Sequence, residues 1–229
     1  MLITLGLIIC LIMSAVVHEV SHGAMAYYLG DSTAKDLGRL TLNPIKHLDL
    51  FGSIILPLIL LITKANFFLA WAKPVPYNPY NLKDYKYGDL KVALAGPGSN
   101  LILAASFGLA ARFLPLAYLA KINLTNLFFA GDNAGLLALM SGSFLNSLFV
   151  LSVILVMINL ALMVFNLVPV PPLDGSKILL TVLPERGRQA FYRLERWGML
   201  ILLLLIALDF FSLIVPVILF LFSLLTGLK

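Results

Sequence analysis

The chain carries three histidines, and two of them lie four residues apart with a carboxylate beside the first: His18-Glu19-Val20-Ser21-His22. On a helix four residues make roughly 400° of turn, so His18 and His22 project from one face and can bind one metal ion. Glu19 lies about 100° round, close enough to hydrogen-bond a water on that metal. Two imidazoles and a neighbouring carboxylate are what zinc-assisted peptide hydrolysis needs: zinc-bound water is acidified and the carboxylate takes its proton. The pattern sits in a run that is otherwise apolar, with no charge from Met1 to Val17. Ionisable side chains are expensive in a bilayer and, where present, functional by default.

A zinc site needs a third protein ligand. His47 lies in a loop region, and Asp209 far along the chain. Asp174 lies in NLVPVPPLDGSKIL, where Pro169, Pro171 and Pro172 break a helix end. Such a break presents a carboxylate at membrane depth without requiring it to be helical. Asp174 is therefore favoured, with His47 next in line. Three further residues are candidates for binding substrate, each with a structural alternative. Asn166 is an amide in an apolar helix that either binds a substrate backbone or makes a cap or interhelical bond. Asn100, in GPGSN, either faces the cavity or belongs to a set of small residues that lets helices approach closely. His47 is either a substrate-side group or a structural loop histidine.

The elements that must position these groups are membrane helices. The 229 residues are 61% hydrophobic and 12% charged, with mean hydropathy +0.99. A soluble domain would carry about 25% charge. Val92–Ala111 and Gly135–Leu173 hold no charged residue, and Asp209 alone interrupts the stretch between Arg196 and Lys229. Spanning hydrocarbon takes about 20 apolar residues. The pattern predicts an all-α polytopic membrane protein with spans from residue 2 to Leu29, Val92–Leu114 and Phe144–Val168, the last longer if it starts near Gly135. It adds a short β-strand or hairpin in KDLGRLTLNP, a re-entrant segment over residues 49–63, an irregular WAKPVPYNPYNL, a short interfacial helix at Ser176–Leu183, and a C-terminal helical pair at about 188–227. The first run lacks a basic start and leads straight into His18, so it reads as a retained helix rather than a signal peptide. The whole chain, 1–229, reads as one domain with its core at about 1–183.

With the re-entrant segment, all but Arg112 and Lys121 of the 16 basic residues fall on the cytoplasmic side, as the positive-inside rule favours. That places the His18–His22 pair and Asp174 at similar depth, toward the cytosol. The lone Cys10 excludes an intramolecular disulfide and a multi-cysteine metal site. The net charge of +5 is spread over membrane-flanking loops with no aromatic interleaving, so nucleic acid is not an expected partner.

H-E-x-x-H on a membrane helix, followed by Asn166-x-x-Pro169-x-Pro171-x-Leu173-Asp174-Gly175, resembles the site-2 protease family of intramembrane zinc metalloproteases. GRLTLNPIKHLDLFGSIILP, WAKPVPYNP and ALAGPGSN resemble its compact prokaryotic branch, which lacks PDZ and CBS domains. The resemblance implies one zinc on His18, His22 and Asp174, Glu19 as general base, and a three-helix catalytic core. It implies a multi-pass protein of a prokaryotic cell membrane. Its partners would be the bilayer and a transmembrane protein substrate, cut within or near its membrane segment. A homo-oligomer is compatible with this. Two other classes stay open: a metal transporter, and an inactive relative serving as a membrane scaffold.

Overall fold

The computed structural model describes residues 2–55, 59, 62 and 72–228. Three long helices form the frame: α1 (Leu2–Tyr28), α3 (Gly88–Phe113) and α6 (Phe144–Asn166), each long and apolar enough to cross a membrane. They pack together along small and β-branched residues. Val16 of α1, Val92, Ala93 and Ala104 of α3, and Val150, Val153 and Val156 of α6 are buried. Without a hydrophobic drive between helices in lipid, such close approach supplies dispersion contact instead.

Helix α6 starts where Ser143 accepts from the Asn146 N–H as an N-cap. The apolar run before it is a separate helix, α5 (Asn133–Ser141), itself capped by Asp132. With α4 (Tyr118–Phe129) it packs over one end of the frame through Leu124 and Leu136. Lys121 of α4 is buried and donates to the carbonyls of Ala111 and Arg112 at 3.0 and 2.7 Å. It thereby satisfies carbonyls that the end of α3 leaves free, and burial pushes its ammonium pKa down. The sequence reading has no helix between Leu114 and the last span, because α4 and α5 are too short to announce themselves as spans.

Among the described residues there is no strand. The hairpin expected in KDLGRLTLNP is replaced by the short helix α2 (Thr33–Asp36), a left-handed turn at Gly38 (φ 63°) and a 3-10 turn over Pro44–His47. Asn43 caps that turn by accepting from the Ile45 N–H. The alternation of Leu37, Leu40 and Leu42 does not make one buried face, since Leu37 and Leu42 are exposed. Of the expected re-entrant segment, residues 56–58, 60, 61 and 63 lie outside the described residues, and the described part shows a π-helical stretch over Leu50–Ile55.

Beyond α6 follow α7 (Asp174–Val182), α8 (Glu185–Glu195), α9 (Gly198–Ala207) and α10 (Val215–Thr226). The C-terminal apolar stretch bends by 78° around Asp209, which is left-handed (φ 53°). Neither α9 nor α10 alone reaches the roughly 20 residues a span requires. Helix α10 packs on the frame through Ile218 and Phe222, and Gly108 of α3 makes room for Leu225.

Candidate metal centre

His18 and His22 lie on the buried face of α1, turned toward α3 and α7. Asp174 reaches the same point from a different part of the chain. Helix α6 ends at Asn166, the proline-rich turn follows, and Asp174 opens α7, where the helix dipole favours its negative charge. The next residue must be glycine. A Cβ on Gly175 would stand 2.3 Å from the Leu167 carbonyl oxygen and 2.4 Å from that of Val168. Its absence lets α7 fold back onto the end of α6 and direct Asp174 at α1. Gly198, at the start of α9, is pressed against Pro171 in the same way and backs this turn.

Three donor atoms converge. His18 Nε2 lies 3.0 Å from Asp174 Oδ2, His22 Nε2 lies 3.1 Å from it, and the two Nε2 atoms are 3.0 Å apart. All three side chains are buried. The other ring nitrogens are committed: His18 Nδ1 faces Asn100 Oδ1 at 2.5 Å, and His22 Nδ1 faces the Val92 carbonyl at 2.7 Å. Both partners are acceptors, so each Nδ1 carries a proton, and either ring in its neutral form presents a lone pair at Nε2. In that form two nitrogen lone pairs and a carboxylate face one point. A cation satisfies all three at once. Ligand atoms ~2.05 Å from a tetrahedral zinc would stand about 3.3 Å apart, close to the edges observed.

Gly96 of α3 forms the floor. A Cβ there would fall 2.3 Å from His22 Nε2 and 2.6 Å from His18 Nε2, so the glycine keeps open the space between the nitrogens. Behind His18 runs a buried amide chain: Asn100 Nδ2 donates to Asn159 Oδ1 at 2.8 Å, and Asn159 Nδ2 donates to Ser14 Oγ at 3.1 Å and to the Leu155 carbonyl. It ties α1, α3 and α6 together at one level.

Glu19 is half-buried on the adjoining face of α1, and its Oε2 accepts from the Val75 N–H at 2.9 Å. Asn100 touches the centre through His18. Asn166 is turned to its own helix, donating to the Leu162 carbonyl at 2.9 Å. His47 is buried in the loop, with Nε2 2.8 Å from the Thr41 carbonyl and its own carbonyl accepting from the Lys73 N–H. Sequence reasoning missed Asn159, Ser14 and the floor formed by Gly96. Asn159 had a visible mark, an amide within the uncharged run Gly135–Leu173.

The model of peptidase family M50 matches residues 6–208. The chain is 39% identical over 199 residues to "Putative zinc metalloprotease YwhC" of Bacillus subtilis (strain 168), covering 87% of this chain and 78% of that protein. It is 28% identical over 196 residues to "Putative zinc metalloprotease Rip2" of Mycolicibacterium smegmatis, covering 85% of this chain and 64% of the relative. No solved structure matches it significantly. A match over most of the chain, joined to three helices long and apolar enough to cross a membrane and to the convergence of His18, His22 and Asp174, assigns the protein to peptidase family M50, the site-2 protease family of metalloproteases.

Proposed function

We infer that the protein is an intramembrane zinc endopeptidase that cuts a peptide bond within or near the transmembrane segment of a membrane-protein substrate. The observation that carries this reading is the convergence of His18 Nε2, His22 Nε2 and Asp174 Oδ2 in a buried triangle, with the Glu19 carboxylate on the adjoining face of α1. His18, His22 and Asp174 hold one zinc. The metal, when bound, supplies Lewis acidity that makes water a nucleophile near neutral pH and polarises a carbonyl. Glu19 takes a proton from the attacking water and delivers it to the departing amide nitrogen as the C–N bond breaks. Asn100 and the Val92 carbonyl keep both imidazoles in the tautomer that ligation needs. No nucleophilic Ser or Cys is required. The bias of basic residues supports a site on the cytosolic side of the membrane.

The test pairs two variants of the purified protein. Glu19→Gln retains bound zinc by elemental analysis and loses cleavage of a transmembrane substrate in detergent or liposomes. Asp174→Ala loses zinc. Cleavage by Glu19→Gln at the wild-type rate would remove Glu19 as the base, whereas a wild-type protein that binds zinc and cleaves nothing would revive the transporter and scaffold readings.

A further inference from the structure

Residues 73–78, Lys-Pro-Val-Pro-Tyr-Asn, cross beside the metal centre without regular structure. Proline has no N–H and holds itself and its predecessor extended. In Pro74-Val75-Pro76 a single backbone donor therefore remains, that of Val75. It is aimed at Glu19 Oε2 at 2.9 Å. Hydrolysis as derived above uses the Glu19 carboxylate and leaves this bond without a role.

The segment is clamped at both ends. Buried Arg39 donates through Nη2 to the Lys73 carbonyl at 2.8 Å and the Pro74 carbonyl at 3.4 Å, and the Lys73 N–H is held by the His47 carbonyl at 2.8 Å. At the other end buried Asp31 accepts from the Asn78 N–H at 2.9 Å and from Asn81 Nδ2 at 2.8 Å. Between the clamps, Lys177 of α7 lies over the Tyr77 ring at 5.3 Å, so the segment bridges the Glu19 side of the centre to the helix of Asp174. Its seat on α1 is Gly23, one turn after Glu19 on the same face. A Cβ on Gly23 would stand 2.7 Å from both Val75 Cγ1 and Leu40 Cδ2. Removing one side chain from α1 thus lets Val75 come down beside the carboxylate.

We propose that this strap positions the general base. The Val75 N–H fixes Oε2 and leaves Oε1 as the oxygen presented to water, while Arg39, Asp31 and Gly23 are positioning residues that act through the strap. A hydrogen bond to a charged group favours the held rotamer about ten- to hundredfold. The inference rests on Glu19 being the base.

Val75→Pro removes the donor and keeps the strap extended, whereas Val75→Ala keeps the donor and trims the side chain. The assay is cleavage of a fluorescence-quenched synthetic transmembrane peptide in detergent micelles, with bound zinc measured in parallel. Val75→Pro lowers kcat about tenfold or more at unchanged KM and unchanged zinc, while Val75→Ala stays within about threefold of wild type. Arg39→Met lowers kcat similarly, and Arg39→Lys, which still reaches a carbonyl, recovers part of it. Equal losses in Val75→Pro and Val75→Ala, or a wild-type kcat in Val75→Pro, overturn the proposal. Should Val75→Pro fail to fold, the backbone ester at residue 75 replaces it, retaining the side chain and exchanging N–H for oxygen, with the same two outcomes. Full cleavage by Glu19→Gln would instead remove the base assignment itself, so the two failures are distinguishable.

Discussion

Replacing Gly96 by alanine tests whether the space between the two imidazoles is there for an ion. The added methyl would sit 2.3 Å from His22 Nε2, 2.6 Å from His18 Nε2 and 2.6 Å from His22 Cε1. A metal ligated by both nitrogens stands ~2.0–2.1 Å from each, so methyl and ion compete for the same volume. To reach ordinary van der Waals contact, α1 and α3 must separate by about 1 Å. Overpacking of that kind typically costs about 1–3 kcal/mol, which a bundle of three long helices can absorb. The centre cannot absorb it, because the Nε2 atoms are driven away from Asp174. Gly96→Ala is therefore expected to fold with little or no zinc and no protease activity. Elemental analysis reads the stoichiometry, and thermal unfolding in detergent with and without chelator reads its linkage to stability. Chelation lowers the Tm of wild type and leaves that of Gly96→Ala unchanged. Gly98→Ala is the control from the same segment, since its methyl would meet no atom within 4 Å and should be silent. A Gly96→Ala protein that binds one zinc and cleaves would refute the assignment of this space to the metal.

Gly175→Ala puts a methyl 2.3 and 2.4 Å from two carbonyl oxygens, so it should displace Asp174 and weaken zinc retention against a competing chelator, with α1 and α3 intact by circular dichroism. Asn159→Leu leaves the Asn100 amide buried without its acceptor; about 1–3 kcal/mol of stability should be lost in denaturant titration. The freed Asn100 should also lower zinc affinity about ten- to hundredfold, measured by competition. Asp31 links pH to the strap. Burial opposes its charge, but donors from Thr33, Asn78 and Asn81 outweigh this and hold its carboxyl below the ordinary range. With the folded pKa depressed, its stabilisation is present above the unfolded value of 3.8 and is lost as pH falls through the folded one. Wild-type Tm should therefore drop in that acid window, and Asp31→Asn should show a smaller drop from a lower starting Tm.

The three long helices were legible because a membrane span is a local property. Length and apolar composition over one stretch decide it, and Leu2–Tyr28, Gly88–Phe113 and Phe144–Asn166 lie within a few residues of the expected bounds. The expected hairpin failed for the converse reason. A strand needs a partner, and alternation over a few residues cannot show whether one exists; Gly38, Asn43 and Pro44 turn the chain instead. Helices α4 and α5 owe their place to side chains from elsewhere, Lys121 on the end of α3 above all.

The candidate centre divides along the same line. His18, Glu19 and His22 follow from helical periodicity alone, because four residues return a side chain to the same face. Asp174 was a choice among distant carboxylates and imidazoles, guided by prolines that free it from a helix. That Nε2 of both histidines is the free nitrogen, that Gly96 keeps the space between them open, that Asn159 stands behind Asn100, and that the one N–H of a Pro-Val-Pro strap faces Glu19 are all relations between residues tens of positions apart. Side-chain types and spacing determined which chemistry the chain carries. Helix packing decided which lone pairs and which N–H point at it, because hydrogen-bond direction is set by where the partner helix lies and not by the order of residues along the chain.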